Sequence, residues 1–474
     1  MSRILMVTSE AAPFAKTGGL ADVLGALPPA LAKIGEEVVV VMPRYGSVPL
    51  AGAELILAAM PLLVGPRSFS AALYQVQREG VRYLLVDCPP LYARAGIYNE
   101  WGAEYLDNHI RFAALNLAAL EIARNIFPAD IFHAHDWPAG LLAPYLHETF
   151  AADPTFAGAK CVFTIHNLGY QGNFPGYLLA DLGLNPALFR PQGLEFWGEL
   201  SFLKAGIVWA DAITTVSPTY AKEIQTPAYG HGLDGVLRDR ADRITGILNG
   251  VDYNEWNPQE DPHITNRFSA RDLSGKRLAK RALLKSLKLL PDMKRPLLGI
   301  VSRFASQKGF DLVEAIAPEL AEMDLAMAVL GSGDSHYEQV FRGMAEAHPE
   351  KFAVRVGYDN ELAHRIEAGA DIFLMPSQYE PCGLNQMYSL RYGTVPIVRA
   401  TGGLDDTVDE TTGFKFREYT PEALLGAIGE ARAAWQNRDR WLERMRRGMA
   451  KDFSWDASAA GYQSLYRSLI APPG

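Results

Sequence analysis

The feature that most constrains the fold is an alternation of short apolar runs with longer amphipathic stretches, which occurs twice along the chain. A strand, a helix and a second strand in succession form a βαβ unit, whose strands pair in parallel. The first series of predicted strands is 4–7, 38–42, 83–86, 131–135, 161–166 and 212–216. The second series is 297–301, 327–330, 354–356, 372–375 and 395–398. The sequence therefore predicts an α/β protein with two parallel sheets.

The two series imply two domains. A single hydrophobic core stops growing at about 250 to 300 residues, and this chain has 474. Segment 249–262 is rich in turn-forming residues and carries two prolines, which is typical of an interdomain linker. We predict an N-terminal domain over residues 1–245 and a C-terminal domain over 246–455. A last helical pattern, in residues 456–474, is expected to pack back on the first domain.

Composition excludes several classes of function. The formal net charge of -9 argues against a nucleic-acid partner. The three cysteines show no spacing typical of a zinc site or a disulfide framework, which suits a reducing cytoplasm. No apolar stretch is long enough to span a membrane, and the N-terminus resembles a buried strand rather than a cleavable signal. We expect a cytoplasmic protein that binds a small anion; the sequence leaves its oligomeric state open.

Ligands of open parallel sheets bind at the carboxyl ends of the strands. The first such loop contains Lys16, Gly18 and Gly19, directly before a predicted helix. Glycines allow close approach of a ligand to backbone N–H groups at a helix start, where a phosphate is stabilised, and the lysine adds a positive charge. The alternative is a surface loop in which the glycines cap the helix.

Two cations follow the first strand of the second series. Arg303 and Lys308 are five residues apart in a loop that opens a helix. The arginine can bind a pyrophosphate with two hydrogen bonds and the lysine as a point charge. Cations in a loop are often only solvated, but their position after a strand favours a function.

A third loop, after predicted strand 372–375, contains Glu380 followed by Cys382, Gly383 and Leu384. The carboxylate can accept hydrogen bonds from sugar hydroxyls, and the three N–H groups face an anion at the start of a helix predicted over 382–392. Alternatively, Glu380 only caps that helix. Cys382 is expected to act as a small packed side chain, because no base lies beside it in sequence.

Histidines end two strands of the first series. His133 and His135 alternate onto one face, which superficially resembles a metal site, and His166 ends the next strand. We predict no metal, because no complete ligand set accompanies them. A histidine at a strand end is usually structural, so His166 by itself is a weak candidate for function.

Together, seven ordered segments resemble the bacterial glycogen synthase and plant starch synthase family: KTGGLADV (16–23), HAHDW (133–137), TIHN (164–167), LNGVD (248–252), SRFASQKG (302–309), EPCGLNQ (380–386) and TGGLDDTV (401–408). The resemblance covers almost the whole chain. It implies a GT-B fold, in which two Rossmann-like domains face each other across a cleft and the last helix crosses back to the first domain.

The resemblance also implies an activity: transfer of glucose from ADP-glucose to the non-reducing 4-hydroxyl of an α-1,4-glucan such as glycogen, with retention of configuration, release of ADP and no metal or cofactor. Lys16 and Gly19 would contact the phosphates, Arg303 and Lys308 the leaving diphosphate, and Glu380 and His166 the glucose. Tyr358 would stack on adenine. Four further residues match positions near the junction of donor and acceptor: Asp22, Tyr98, Asp136 and Asn249.

Three alternatives stay open. A related transferase with another donor or acceptor, such as UDP-glucose or sucrose-forming chemistry, would share most of these segments. A catalytically silent glucan-binding protein is disfavoured because the charged residues of the implied site are all present. A dehydrogenase is weaker still, because Gly331-Ser-Gly333 lacks the third glycine of the dinucleotide-binding pattern.

Overall fold

Each series of apolar runs builds its own sheet. The computed structural model describes residues 1–470, so residues 471–474 of the predicted last helix lie outside the described residues. By its internal contacts the chain forms two units: one of residues 1–216, 221–250 and 455–474, the other of residues 217–220 and 251–454. Residues 246–250, which the sequence assigned to the second domain, thus group with the first unit.

The first unit contains a nine-stranded sheet in the order β14-β13-β9-β8-β1-β2-β5-β4-β3, with a three-stranded sheet β10-β12-β11 and a small hairpin β6-β7. Its strands are β1 (Arg3–Val7), β2 (Glu37–Pro43), β3 (Glu54–Val64), β4 (Arg67–Arg78), β5 (Val81–Asp87), β6 (Asn99–Glu100), β7 (Ala103–Glu104), β8 (Ile131–His135), β9 (Lys160–Ile165), β10 (Asn173–Pro175), β11 (Glu195–Phe196), β12 (Glu199–Ser201), β13 (Ala212–Thr215) and β14 (Ile244–Gly246).

The large sheet is parallel except at one edge, where β3, β4 and β5 pair antiparallel. This edge corrects the expectation of a wholly parallel sheet. Strand β3 is largely exposed, with burial pattern eeieeeBeBeB, so it lacks the continuous apolar run by which the other strands could be predicted. By contrast, Ile4 to Val7 of β1 are completely buried.

Helices surround these strands. They are α1 (Gly19–Lys33), α2 (Pro89–Tyr92), α3 (Asn108–Asn125), α4 (Leu142–Pro144), α5 (Phe202–Trp209), α6 (Pro218–Glu223), α7 (Asp234–Arg238) and, at the end of the chain, α17 (Trp455–Ile470). Helix α17 packs on α1 and on the sheet: Gln463 Nε2 donates to Glu36 Oε1 at 2.8 Å, and the Tyr466 hydroxyl bonds His133 Nδ1 at 2.7 Å. Within residues 1–470, no helix is both long and apolar enough to cross a membrane.

The second unit is built on a parallel six-stranded sheet in the order β17-β16-β15-β18-β19-β20. Its strands are β15 (Leu297–Val301), β16 (Ala326–Gly331), β17 (Phe352–Val356), β18 (Ile372–Met375), β19 (Val395–Arg399) and β20 (Phe414–Phe416). Its helices are α8 (Ser274–Ser286), α9 (Phe310–Ala315), α10 (Ala317–Glu322), α11 (Ser335–Ala347), α12 (Asn360–Gly369), α13 (Asn385–Arg391), α14 (Gly402–Thr407), α15 (Pro421–Trp435) and α16 (Arg438–Met449).

Alternate residues of these strands enter two separate cores. Leu298 and Ile300 of β15 belong to one cluster, and Leu297 belongs to the other. Helices therefore cover both faces of the sheet, as a doubly wound α/β fold requires.

The segment predicted to be a linker is in fact anchored in the second unit. The Trp256 ring is stacked between His364 and Tyr388, with ring centroids 3.8 and 3.9 Å away. Asp261 is buried and accepts hydrogen bonds from His364 Nδ1 at 2.9 Å and from the Tyr392 hydroxyl at 2.5 Å. Turn-forming composition indicated the absence of helix and strand, but not this burial.

Candidate active site

Both sheets have a point at which the order of strands reverses, and ligands of doubly wound folds bind there. In the first sheet this point lies between β1 and β8, and in the second between β15 and β18. The chain segments that follow these four strands carry most of the residues singled out by sequence.

Glu10 is the centre of the loop that follows β1. Its carboxylate is buried and accepts hydrogen bonds from the N–H and hydroxyl of Thr17, the latter at 2.7 Å, and from the Gly18 N–H at 3.3 Å. The Tyr98 hydroxyl also donates to it at 2.6 Å and lies 2.7 Å from Ser9 Oγ. These bonds tie the chain before α1 to the segment that follows β1.

The predicted phosphate contacts lie on the open side of this loop. Lys16 Nζ pairs with Asp22 Oδ1 at 2.6 Å, and both side chains are exposed. A Cβ added to Gly18 or Gly19 would meet nothing within 4 Å, and the Gly18 N-cap has no side-chain hydrogen bond. The backbone at the start of the 15-residue helix α1 is therefore uncovered at these two glycines, and a helix N-terminus is an environment that an anion prefers.

Asp136 and His166 follow the neighbouring strands β8 and β9 and contact each other. The His166 N–H donates to Asp136 Oδ1 at 2.7 Å, and a hydrogen bond of 3.0 Å joins His166 Nε2 to His135 Nδ1. Burial raises the pKa of Asp136 to about 7, with a smaller rise from the charge of Glu10. Burial lowers the pKa of His166 to about 3. At neutral pH His166 is therefore an uncharged hydrogen-bonding group.

His133 is structural. Its two ring nitrogens bond the Tyr466 hydroxyl at 2.7 Å and Thr164 Oγ1 at 2.6 Å. No three His, Cys, Asp or Glu side chains in residues 1–470 are grouped so that they could hold a metal ion.

Two further candidates of the first unit lie in different surroundings. The Tyr98 ring packs 5.9 Å from both Phe112 and Trp137, and burial raises its pKa well above the usual value. Asn249 is almost fully buried, and its Oδ1 has no hydrogen-bond partner among the described residues. Leaving a buried carbonyl oxygen without a hydrogen bond costs free energy, so Asn249 Oδ1 is a candidate acceptor for a donor group.

In the second unit, the loops after β15 and β18 are joined by an ion pair. Lys308 Nζ lies 2.6 Å from Glu380 Oε2, and both side chains are mostly buried. The Ser377 hydroxyl donates to the same carboxylate oxygen at 3.0 Å. A cation and a carboxylate are thus held together at the reversal point of the sheet, 72 residues apart in sequence.

Glycines allow the backbone of these loops to pack closely. Gly309 follows Lys308 with a φ of +74°, and a Cβ there would lie 2.0 Å from Pro376 O. Gly402 has a φ of +44°, and its Cβ would lie 1.9 Å from Glu380 O; a Cβ on Gly403 would lie 2.1 Å from Cys382 O. The geometry of the Glu380 turn therefore depends on positions where only glycine fits.

The helix expected over 382–392 begins later than predicted. Helix α13 starts at Asn385 and has seven residues, so Cys382 and Gly383 precede it and Leu384 is its N-cap. Gln386 Nε2 donates to the carbonyls of Cys382 and Gly383 at 3.0 and 3.1 Å. The chain before α13 is a turn closed by a glutamine side chain, because Gly383 has a φ of +70° that interrupts the helix.

Arg303 and Tyr358 lie on the surface of the second unit. Arg303 is exposed two residues after β15, and the Tyr358 ring, two residues after β17, is 90% exposed. Their side chains are available to a ligand but are not brought into contact with Lys308 or Glu380.

Comparisons with known proteins agree with this arrangement. Residues 3–239 match the family model described as "Starch synthase catalytic domain", and residues 285–448 match "Glycosyl transferases group 1". A glycogen synthase of Anaeromyxobacter dehalogenans is 50% identical over 98% of this chain and 99% of its own. Glycogen synthases of Koribacter versatilis and Myxococcus xanthus are each 48% identical, over 98% and 99% of this chain and 97% and 99% of their own.

The chain belongs to the glycogen and starch synthase family. It is a glycosyltransferase, and the family predicted from sequence is confirmed. The catalytic domain of starch synthase IV from Arabidopsis thaliana, bound to ADP and acarbose, superimposes with a TM-score of 0.90 at 30% identity over 99% of this chain and 100% of that one. Sucrose-phosphate synthase from Thermosynechococcus elongatus shares the fold alone, with a TM-score of 0.61 at 18% identity over 99% of both chains. The predicted fold class is confirmed as well.

Some residues at the centre of these loops could not be identified from sequence. Glu10 was not among the predicted site residues, although its position three residues after the buried strand β1 was a usable signal. Ser377 and Gln386 carried no such signal, because their roles depend on partners that only the folded loops bring near.

Proposed function

We propose that this enzyme transfers glucose from ADP-glucose to the 4-hydroxyl at the non-reducing end of an α-1,4-glucan, with retention of configuration and release of ADP. The observation that carries the proposal is the Lys308–Glu380 pair of 2.6 Å at the strand-order reversal of the second sheet. The relatives named above, among them a starch synthase bound to ADP and acarbose, support the choice of donor and acceptor.

In the second unit, we assign the donor to the loops after β15, β17 and β18. Arg303 and Lys308 neutralise the charge that develops on the diphosphate. Glu380 accepts hydrogen bonds from the transferred glucose, and Tyr358 stacks on adenine. The backbone of Cys382, Gly383 and Leu384 contacts the phosphates.

In the first unit, we assign Lys16 and the backbone at Gly18 and Gly19, where helix α1 begins, to the phosphates. His166, which is uncharged at neutral pH because burial lowers its pKa, bonds the glucose near its 6-hydroxyl. The remaining four residues act on the acceptor side or at its junction with the donor: Asp22, Tyr98, Asp136 and Asn249.

The proposed reaction is a front-face displacement. The acceptor 4-oxygen forms a bond to the anomeric carbon on the side from which ADP departs, the carbon–oxygen bond to the β-phosphate breaks, and the acceptor proton passes to the departing phosphate oxygen. The protein contributes positioning and electrostatic stabilisation, and the proposal requires no metal or organic cofactor. The enzyme is proposed to act in the cytoplasm, where its three buried cysteines stay reduced.

The test is transfer of labelled glucose to glycogen from ADP-glucose and from UDP-glucose, measured in parallel with release of the nucleoside diphosphate. We expect label in glycogen and equimolar ADP with the first donor, and unchanged rates in the presence of EDTA. Faster transfer from UDP-glucose would overturn the donor assignment. Release of no diphosphate with either donor would favour a catalytically silent glucan-binding protein.

A further inference from the structure

Two hairpins of the first unit carry tryptophan at the tip in the same backbone conformation. The turns are Trp101-Gly102 and Trp197-Gly198, each with φ near +55° at tryptophan and +85° at glycine. Both tryptophan side chains are exposed, by 98% and 83%. Such turns favour asparagine or aspartate at the first position, and a bulky residue with positive φ is strained. Neither turn propensity nor burial explains a tryptophan at these positions, so the surroundings of each ring decide whether it could bind a ligand.

The Trp197 turn has a second exposed ring beside it. Strand β10 pairs antiparallel with β12, with Pro175 opposite Glu199, so the end of β10 lies next to the Trp197-Gly198 turn. Tyr177 follows two residues after β10 and is 80% exposed. A Cβ on Gly176 would lie 2.9 Å from Gly198 O, which shows how closely the two chain segments approach. Trp197 and Tyr177 therefore sit at the same end of the three-stranded sheet.

Hydrogen bonds from a buried lysine and from the turn itself fix this end of the three-stranded sheet. Lys204 is buried, and its Nζ donates to the carbonyls of Glu195 and Pro191 at 2.5 and 2.6 Å. The Gly198 N–H donates to Glu195 Oε1 at 2.7 Å, which closes the turn. A preformed aromatic surface loses little conformational entropy when a ligand binds.

The neighbouring groups suit a neutral, hydroxyl-rich ligand. Glu199 follows the Trp197-Gly198 turn directly, is exposed and offers a carboxylate for hydrogen bonds. A carboxylate at this position disfavours an anionic ligand such as a nucleic acid or an anionic lipid surface. Flat rings beside hydrogen-bonding groups match the apolar faces and hydroxyl edges of a sugar chain. The small sheet also follows His166 closely along the chain, since only six residues lie between His166 and Asn173 at the start of β10.

We propose that Trp197 and Tyr177 form a platform that binds a chain of the α-glucan acceptor by stacking on its glucose rings. This inference rests on the proposed function, which supplies the ligand. The platform holds the polymer and does not touch the reacting atoms, so it acts on acceptor affinity and not on the chemical step.

The test compares Trp197→Ala, Tyr177→Ala and Trp197→Tyr with the wild type. Binding to glycogen is measured by affinity electrophoresis, and KM and kcat are measured with glycogen and with maltotriose. We expect about tenfold weaker glycogen binding and higher KM for glycogen in both alanine variants, because a stacking contact is lost. The kcat should stay unchanged, and Trp197→Tyr should retain most of the affinity because it keeps a ring.

Trp101→Ala is the matched control. Trp101 has the same turn and the same exposure, but the next ring of its hairpin, Tyr105, is covered by the guanidinium groups of Arg94 and Arg111, each 4.8 Å from the ring centroid. We expect its glycogen affinity to equal that of the wild type. Unchanged binding in Trp197→Ala, or an equal loss in Trp101→Ala, overturns the platform. A wild type that binds glycogen through Trp197 but transfers no glucose overturns the proposed function and leaves the platform standing.

Discussion

The loops at the two strand-order reversals use glycine in opposite ways. In the second unit, Gly402 and Gly403 are pressed against the backbone of the Glu380 turn, where an added Cβ would lie about 2 Å from a carbonyl oxygen. In the first unit, Gly18 and Gly19 face open space. The same residue type therefore builds the site in one unit and leaves room for a ligand in the other.

The ion pairs of the two loops differ in burial, as the glycines do. Lys308 and Glu380 form a mostly buried pair, whereas Lys16 and Asp22 form an exposed one. A buried pair is fixed before any ligand arrives, because separating it would strand a charge away from water. An exposed pair costs little to break, so Lys16 is free to exchange its carboxylate partner for a phosphate. The ion pair of the second unit is thus preorganised, and that of the first unit is adaptable.

The largest expected effect tests the preorganised cation. Lys308→Ala should lower turnover by about two to three orders of magnitude, because charge developing on the diphosphate loses a fixed positive partner. Lys16→Ala should lower turnover much less, since that lysine is exposed and its charge is screened by water. Steady-state transfer from ADP-glucose measures both, with thermal melting as a check on folding. Near-normal turnover in Lys308→Ala would remove the catalytic role that we assign to the pair.

The next effect is on stability. Gly403→Ala should lower the free energy of unfolding by about 3 kcal/mol, because the new methyl group must displace the backbone at Cys382. Gly18→Ala is the matched control and should change it by less than about 0.5 kcal/mol. Urea unfolding of the two variants measures the difference. Equal free energies of unfolding would show that the Glu380 turn accommodates the methyl group and that the two loops do not differ in how tightly their glycines are packed.

Structural features that have a local cause could be predicted from the sequence, whereas features that depend on tertiary contacts could not. Strand β1 could be predicted because four successive apolar residues enter a core that covers both faces of the sheet. The antiparallel edge strand β3 could not, because most of it is exposed. The anchoring of Trp256 between His364 and Tyr388 depends on side chains more than 100 residues away, for which the local sequence carries no signal.

The same distinction applies to the candidate site residues. Lys308 and Glu380 were each predictable as groups that follow a strand, but their pairing across 72 residues was not. Glu10 accepts from two hydroxyls, and one of them belongs to Tyr98, 88 residues away. Chemical type and position after a strand can be inferred locally, whereas the identity of a partner requires the folded loops.

A third prediction concerns the buried carboxyl of the first unit. Burial raises the pKa of Asp136 to about 7 from 3.8. The folded state therefore binds its proton more tightly than the unfolded chain, and the stability due to this proton is complete below pH 3.8 and lost as the pH rises through 7. Asp136→Asn keeps an acceptor for the His166 N–H but does not titrate.

We expect the free energy of unfolding of the wild type, minus that of Asp136→Asn, to fall by about 4 kcal/mol between pH 4 and pH 8. Urea unfolding at the two pH values measures it, and the histidines nearby titrate in both proteins and so cancel. A difference that does not change with pH would place Asp136 in water rather than in a buried network.

The smallest expected effect probes the open glycines directly. Gly18→Ala and Gly19→Ala should fold normally but raise the KM for ADP-glucose about tenfold, because the methyl group occupies the space in which a phosphate would approach the helix N–H groups. Gly35→Ala would be a poor control, because Gly35 has a φ of +94° and the change would strain the backbone. Gly343→Ala is suitable, since its Cβ also meets nothing within 4 Å and it lies within helix α11. If all three variants bind ADP-glucose like the wild type, the open space at Gly18 and Gly19 is not a ligand site, and the two loops differ in packing alone.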